Sequence, residues 1–435
     1  MLDNVKSKYI LEEIFKKVMN RRKLKIIKYN KRLLDKLNIN KKDFEVYSQL
    51  KNINDKYNTN IKDIDIIELN LSKRYMKNEE LKDLFIIKFK ELKILDLSCN
   101  NISNINILDI ANLKELQELN LSCNDISDIS ILEKVVLNEI NKLVLSGNKI
   151  TDINILEKVN FKKLKKLYLS KNKISDIWVL GKVNFKELNK LYLSYNKISD
   201  INILEKVNFE KLKELDLNGN KIIDINVLEK VNFKELNILY LSSNKIKDIN
   251  ILEKVNFKGL NKLDLSYNDI SDIRVLEKVN FRELNLLKLN NNEISEISVL
   301  EKVNFEELNK LDLKKNNISE ISVLEKVNFK ILKELDLSGN KITDINILKN
   351  VNFSELKKLN LKDNEISDIN VLEKVNFIKL KDLNLEGNKI SDINVLEKVN
   401  FLELKRLHLY YNQFNIVENY SILNYLKSKA IKLNV

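Results

Sequence analysis

Cys99 and Cys123 are the only cysteines in a chain of 435 residues that holds a single histidine, His408. Thiolates and imidazoles are the side chains that most often serve as nucleophile, base or soft-metal ligand near neutral pH. The two cysteines stand 24 residues apart in matching Leu-Ser-Cys-Asn contexts, a spacing that can bring the sulfurs close, whereas His408 lies far along the chain. One imidazole supplies neither a Ser/His/Asp nor a Cys/His arrangement, and no third ligand completes a metal site. No GxxxxGK[ST], GxGxxG, HExxH or paired CxxC occurs. A row of acids that includes Asp176, Asp200 and Glu296 recurs at a fixed spacing, which suits helix starts better than acid–base work. These patterns lead us to expect no catalytic residues, no metal and no cofactor. The cysteines then read as two free thiols in a reducing compartment.

The elements that carry these residues come from one repeated unit, cleanest in residues 332–355, LKELDLSGNKITDINILKNVNFSE. From Leu92 the unit recurs fourteen times without insertion or deletion, placing Asn every 24 residues from Asn100 to Asn412. We number its positions 1 to 24 and its copies coil 1 to coil 14. Positions 1, 4 and 6 are Leu except for Ile140, position 9 is Asn, and positions 11 and 14 are Ile as far as Ile390 and Ile393. Position 17 is usually Leu, and position 22 is Phe from Phe161 to Phe401.

This pattern, LxxLxLxxNxIxxIxxLxxxxF, resembles the leucine-rich repeat family across residues 92–427. Its Ser-Asp-Ile step is similar to that of bacterial internalins and of the regulatory subunit of protein phosphatase 1, whose repeats are usually two residues shorter. The resemblance implies an α/β solenoid: a curved horseshoe with a parallel sheet on the concave face and short helices on the convex face.

Elementary physics gives the same outline. Alternation through positions 4 to 6 turns Leu335 and Leu337 inward and Asp336 outward. The Asn of position 9 can satisfy backbone groups in the turn that follows and stack into a ladder. Gly147, Gly219, Gly339 and Gly387 fill position 8 as turn residues. Beyond the turn, the pattern predicts about two turns of helix. In coil 13 Ser391 would cap it, Asp392 open it, Lys398 sit near its negative end, and Asn400 close it in a left-handed conformation. Single units are not self-sufficient. About eight apolar side chains give roughly 1.5–3 kcal/mol each on burial, against about 1.5 kcal/mol for every ordered residue. Stacking is therefore obligatory.

Around this array we expect a helical, basic N-terminal cap at 1–65, a degenerate capping repeat at 66–91, and a C-terminal cap at 413–435 that overlaps the last repeat. The net charge of +13 is concentrated at one end. Residues 1–43 hold fourteen basic and five acidic side chains, +9, which leaves 13 − 9 = +4 for the rest. Ile10, Leu11, Ile14, Phe15 and Val18 share a helical face, and a basic amphipathic stretch containing KRLLDKL follows. The order ILEEIF, KL, KRLLDKL in residues 7–40 resembles an F-box, which would attach a substrate receptor to a ubiquitin-ligase adaptor. A plain cap over the first coil, or a nucleic-acid or membrane-surface contact, are the other readings of this stretch. Residues 40–65 read as a polar connector with helical character around Phe44 to Leu50. In 66–76, Leu69 and Leu71 repeat the strand motif, Arg74 stands where Asn is expected, and the phase slips by two residues. At the far end Ile422, Leu423, Tyr425 and Leu426 suit a helix covering the last coil. No apolar run reaches a membrane-spanning length and no leader pattern is present, so a cytoplasmic setting is expected, the nucleus included.

Recognition falls to the side chains that the core leaves free, at positions 3, 5, 7 and 8. Across coils 4 to 8 these are rich in tyrosine: Tyr168, Tyr192, Tyr195, Tyr240 and Tyr267, rimmed by Lys166, Lys190, Lys262, Asp216 and Asp264. Tyrosine joins an apolar face to a polar tip and loses few rotors, which makes it a common interface anchor, though it also favours strands for their own sake. The aspartates of position 5 could instead select a basic partner. A secondary patch, Arg406, His408, Tyr410 and Tyr411, ends the array. Trp178 at position 15 is expected on the outer surface. The function read from all this is a non-enzymatic scaffold binding a protein partner on the concave face. A ubiquitin-ligase substrate receptor is the alternative, and an internalin-like adhesion molecule ranks third.

Overall fold

The computed structural model describes residues 41–59, 61, 63–429 and 431–435. The F-box-like stretch 7–40, and with it most of the basic cap, lies outside them. The chain divides into two compact units, Met1–Lys190 and Leu191–Val435.

Each unit is a stack of coils with three-residue strands. In unit 1 these are β1 (Glu68–Asn70), β2 (Ile94–Asp96), β3 (Glu118–Asn120), β4 (Lys142–Val144) and β5 (Lys166–Tyr168), each parallel to the next. β6 (Lys190–Tyr192) falls on the boundary. Unit 2 continues with β7 (Glu214–Asp216), β8 (Ile238–Tyr240), β9 (Lys262–Asp264), β10 (Leu286–Lys288), β11 (Lys310–Asp312), β12 (Glu334–Asp336), β13 (Lys358–Asn360), β14 (Asp382–Asn384), β15 (Arg406–His408) and β16 (Lys432–Asn434). These too are parallel and in order. Register is one coil per strand, as in Leu239↔Leu263.

The interior is the predicted one. The Leu residues of positions 4 and 6, Ile of 11 and 14, and Phe of 22 are almost wholly buried in coil after coil. Asn220 shows what position 9 does. Its Nδ2 donates to Leu193 O and Leu217 O at 3.0 Å and Asn218 O at 3.2 Å, and its Oδ1 accepts Ile198 N at 3.1 Å. Each such amide ties two coils together and leaves none of these buried polar groups without a partner.

The return limb is shorter than two helical turns. It is a single 3-10 turn over positions 15–18, as in Asn202–Glu205. The cause lies just beyond it: Val207 and Phe209 are both buried and flank exposed Asn208, a period of two that demands extended chain. In coil 13 the turn Asn394–Glu397 is opened by Asp392, whose Oδ1 accepts Asn394 N at 2.8 Å, and Ser391 takes no part. Asn400 is not left-handed. That conformation belongs to position 8, where glycines and non-glycines alike have φ between 51° and 69°.

The ends depart further from expectation. The supposed connector is a full helix, α1 (Lys41–Tyr57), which buries Leu50, Ile53 and Tyr57 and packs on α2 (Asn78–Ile86), the return limb of the first, degenerate coil. That coil is 26 residues long by register, Leu69↔Leu95, as the phase slip implied. Asn100 Oδ1 of the following coil accepts Met76 N at 3.0 Å, the usual ladder bond, and in addition Arg74 N at 3.0 Å, from the residue that stands where Asn is absent. At the other end α3 (Tyr420–Ser428) buries Ile422, Leu423 and Leu426, while Tyr425 stays 38% exposed. The unpredicted β16 then pairs with β15 and closes the sheet edge.

Candidate interaction surface

The strand face of each unit is built by positions 3, 5, 7 and 8. On unit 1, Lys166 and Tyr168 of β5 are half-buried, as is Lys190 at the boundary. On unit 2, Tyr192 and Tyr240 are half-buried at position 5, and the Tyr192 hydroxyl donates to Glu214 Oε2. Tyr195 and Tyr267 at position 8 are the outward members, 57% and 56% exposed on left-handed turns with φ 55° and 52°. Lys262 is half-buried one strand residue before Leu263.

The two aspartates named with them are not free to meet a partner. Asp216 and Asp264 are only 9% and 6% exposed, because each folds its carboxylate back onto its own turn. Asp216 Oδ1 accepts Asn218 N at 3.0 Å. Asp264 Oδ1 accepts Ser266 N at 3.0 Å and Ser266 Oγ at 2.5 Å, and Lys288 Nζ lies 3.3 Å from its Oδ2. Burial, the largest influence, pushes the Asp216 carboxyl above the ordinary range against the opposing bonds from Asn218 and Ser194. The same Asx turn is made by Asp96, Asn120, Asp312, Asp336, Asn360 and Asn384. Position 5 therefore alternates between turn closure and display of a side chain.

The secondary patch is organised by a residue that sequence reading missed. Asp382, at position 3 and 7% exposed, takes Arg406 Nε and Nη2 at 2.8 Å, both on Oδ2, with His408 Nε2 at 3.5 Å from Oδ1. Asn434 Nδ2 lies 2.7 Å from His408 Nδ1, so both ring nitrogens face a polar partner. Arg406 and His408 are thus tied to Asp382, His408 half-buried and the Arg406 side chain still 54% exposed, and Tyr410 and Tyr411, 48% and 81% exposed, stand beside them. Cross-coil pairs of this kind recur at position 3: Lys142–Glu118 at 3.0 Å and Lys310–Glu334 at 2.8 Å. Their signal was available, since opposite charges at one position 24 residues apart must become neighbours once the coils stack.

Trp178 is 47% exposed, as expected. Among the described residues no group of three His, Cys, Asp or Glu side chains is arranged to hold a metal ion, and no helix is long and apolar enough to cross a membrane. Cys99 and Cys123 are free thiols.

Profiles described as Leucine Rich repeats (2 copies) match residues 139–180, 186–230 and 210–254, and single-repeat profiles match 91–113, 114–131, 260–273 and 331–345. Among solved structures the chain is similar to an internalin, InlF, from Listeria monocytogenes. The identity is 31% and the TM-score 0.63, over 74% of this chain and 87% of that one. A leucine-rich repeat protein of Leptospira interrogans shares the fold at 24% identity and TM-score 0.68, over 89% and 98% of the two chains. So does the plant peptide hormone receptor RGFR1 in complex with RGF2, at 20% identity and TM-score 0.53, over 85% and 69%. No curated protein sequence matches the chain.

Proposed function

The chain belongs to the leucine-rich repeat family, and from that premise we propose that it is a non-enzymatic scaffold holding a protein partner against its strand face. One observation carries the reading. On unit 2 two tyrosines, Tyr195 and Tyr267, stand more than half exposed on turns whose backbone is pinned by cross-coil bonds, Tyr195 N to Asn218 O at 2.7 Å and Tyr267 N to Asn290 O at 2.8 Å. A large aromatic on a fixed backbone gives up little freedom on binding, which is what an interface anchor requires. Lys262 and the half-buried Tyr192 and Tyr240 add a polar-tipped surround, and Tyr168, Lys166 and Lys190 offer a comparable set on unit 1. The plant receptor solved with RGF2 is a case in which a peptide accompanies this fold. Two free thiols suit a reducing, cytoplasmic setting.

The test is capture from cell extract with the full chain, comparing wild type with Tyr195→Ala/Tyr267→Ala by quantitative mass spectrometry. Each truncated anchor removes about 1–2 kcal/mol of binding, so specific partners should fall by roughly tenfold or more while circular dichroism is unchanged. Undiminished capture of the same partners by the double variant would sink the assignment.

A further inference from the structure

Position 8 in the first coils of unit 1 reads Cys99, Cys123, Gly147. All three residues take a left-handed backbone, with φ of 54°, 53° and 69°. Each donates its amide one coil onward at 2.8 Å: Cys99 N to Ser122 O, Cys123 N to Ser146 O, Gly147 N to Ser170 O. Turns that share conformation and hydrogen bonding are related by a simple step along the stack, so Cys99 stands to Cys123 as Cys123 stands to Gly147.

That second relation is directly visible. A Cβ built on Gly147 would lie 3.3 Å from Cys123 Sγ, so the cysteine side chain leans over the next coil. The lean is general at this position. On unit 2 the Tyr195 ring lies 2.6 Å from a Cβ built on Gly219, Lys315 Cγ lies 2.9 Å from one on Gly339, and Asp363 Oδ1 overhangs Gly387. Cys99 Sγ is accordingly carried onto the Cβ of Cys123, one bond from the second sulfur. Adjacent strands about 4.8 Å apart also fall within the roughly 4.4–6.8 Å Cα separation that a disulfide spans. The Cys123 thiol agrees with such proximity. It is pushed up first by partial desolvation of its sulfur, although the residue as a whole is exposed, and then by its hydrogen bond with the Cys99 thiol, against the pull of Lys171. Cys123 is exposed and Cys99 half-buried, so small reagents can reach both.

We propose that Cys99 and Cys123 form a reversible intramolecular disulfide that staples coil 1 to coil 2, made by exchange with a small-molecule disulfide. One thiolate attacks a sulfur of the reagent and expels one small thiol, which leaves a mixed disulfide. The second thiolate attacks the protein sulfur of that bond, forming Cys99–Cys123 and expelling the other small thiol. The protein gives up two protons and two electrons, and the reagent is reduced to two thiols. The staple closes a loop of one coil at the end of the array beside the degenerate cap. It lowers the entropy of the opened state there and turns the local melting of that end into a redox-dependent property.

The experiment uses the full chain in buffers of rising oxidised-to-reduced glutathione ratio, with acid quench, maleimide blocking, intact mass and peptide mapping. The expected product has lost two hydrogens, carries no glutathione, links the Cys99 and Cys123 peptides, and returns to two free thiols with dithiothreitol. Cys99→Ser should instead hold a persistent single glutathione on Cys123; serine is tolerated at this position, as Ser243 with φ 55° demonstrates. Two independent glutathione adducts on the wild type, a disulfide-linked dimer, or two thiols still blocked by maleimide at the highest ratio would each overturn the proposal.

Discussion

Positions 9 and 5 invite comparison, because both place a short amide or carboxylate against backbone amides once per coil, yet one column is uniform and the other is not. Position 9 is Asn in all fourteen coils, whereas position 5 holds Asp, Asn, Val, Tyr, Lys and His. Asn268 donates to Leu241 O and Leu265 O at 3.0 Å and to Ser266 O at 3.1 Å, while its Oδ1 accepts Ile246 N at 3.0 Å. Only a side chain with both donors and an acceptor can do that, and neither Asp nor Ser qualifies. Position 5 needs an acceptor alone, and the acceptor can come from elsewhere. In coil 7, where Tyr240 stands, Asn218 of the preceding coil accepts Ser242 N at 2.6 Å. A task that a neighbour can take over leaves its own position free to vary, and variation is what recognition needs.

The comparison can be broken most forcefully at position 9. Asn268→Ala removes the four bonds at once and strands buried backbone groups, so urea unfolding should lose about 3 kcal/mol or more. A loss under 1 kcal/mol would mean that the ladder is a by-product of stacking. Asp264→Ala should cost about 1–2 kcal/mol, since the buried turn loses the acceptor of two Ser266 bonds rather than four bonds at once. Equal losses for the two variants would erase the distinction drawn here.

Asp216 and Asp312 sharpen the comparison through pH. Burial first, with the charge of Asp336 adding at Asp312, holds both carboxyls above the ordinary range. A raised acid pKa means that the folded state binds the proton more tightly. Their contribution to stability is therefore greatest at low pH and is lost as pH rises through the raised values. Asn keeps the Oδ1 acceptor without the charge, as Asn120, Asn360 and Asn384 do. Asp216→Asn/Asp312→Asn should raise the melting temperature at pH 7, and the gain should shrink toward zero as pH falls into the carboxylate range. A destabilised double variant at pH 7 would show that the charges are needed. The smallest effect belongs to the outward lysine–glutamate ladder. Lys278→Ala, which removes the 3.2 Å pair with Glu253, should change stability by under about 0.5 kcal/mol, and added salt should mask even that.

Much of this protein was legible without coordinates. The inward Leu, Ile and Phe positions, the ladder of Asn, the glycines of position 8 and the slipped first coil follow from a 24-residue period in which apolar side chains must share one interior. Other features were not. The Val-Asn-Phe alternation that shortens the return limb is masked in the sequence by the helix-start residues preceding it. The helix α1 was obscured by a polar composition that three buried side chains, Leu50, Ile53 and Tyr57, suffice to override.

The sequence by itself determined the coil, its length, its buried face and the class of fold, because periodicity dictates which side chains can reach a common core. Tertiary structure decided which outward residues are available. It turned Asp216 and Asp264 from candidate contacts into turn closures, tied Arg406 and His408 to Asp382, set Cys99 and Cys123 on matching left-handed turns of successive coils, and left Tyr195 and Tyr267 more than half exposed. Such outcomes depend on angstrom-scale distances between residues 24 apart in the chain, and those distances exist only once the coils have stacked.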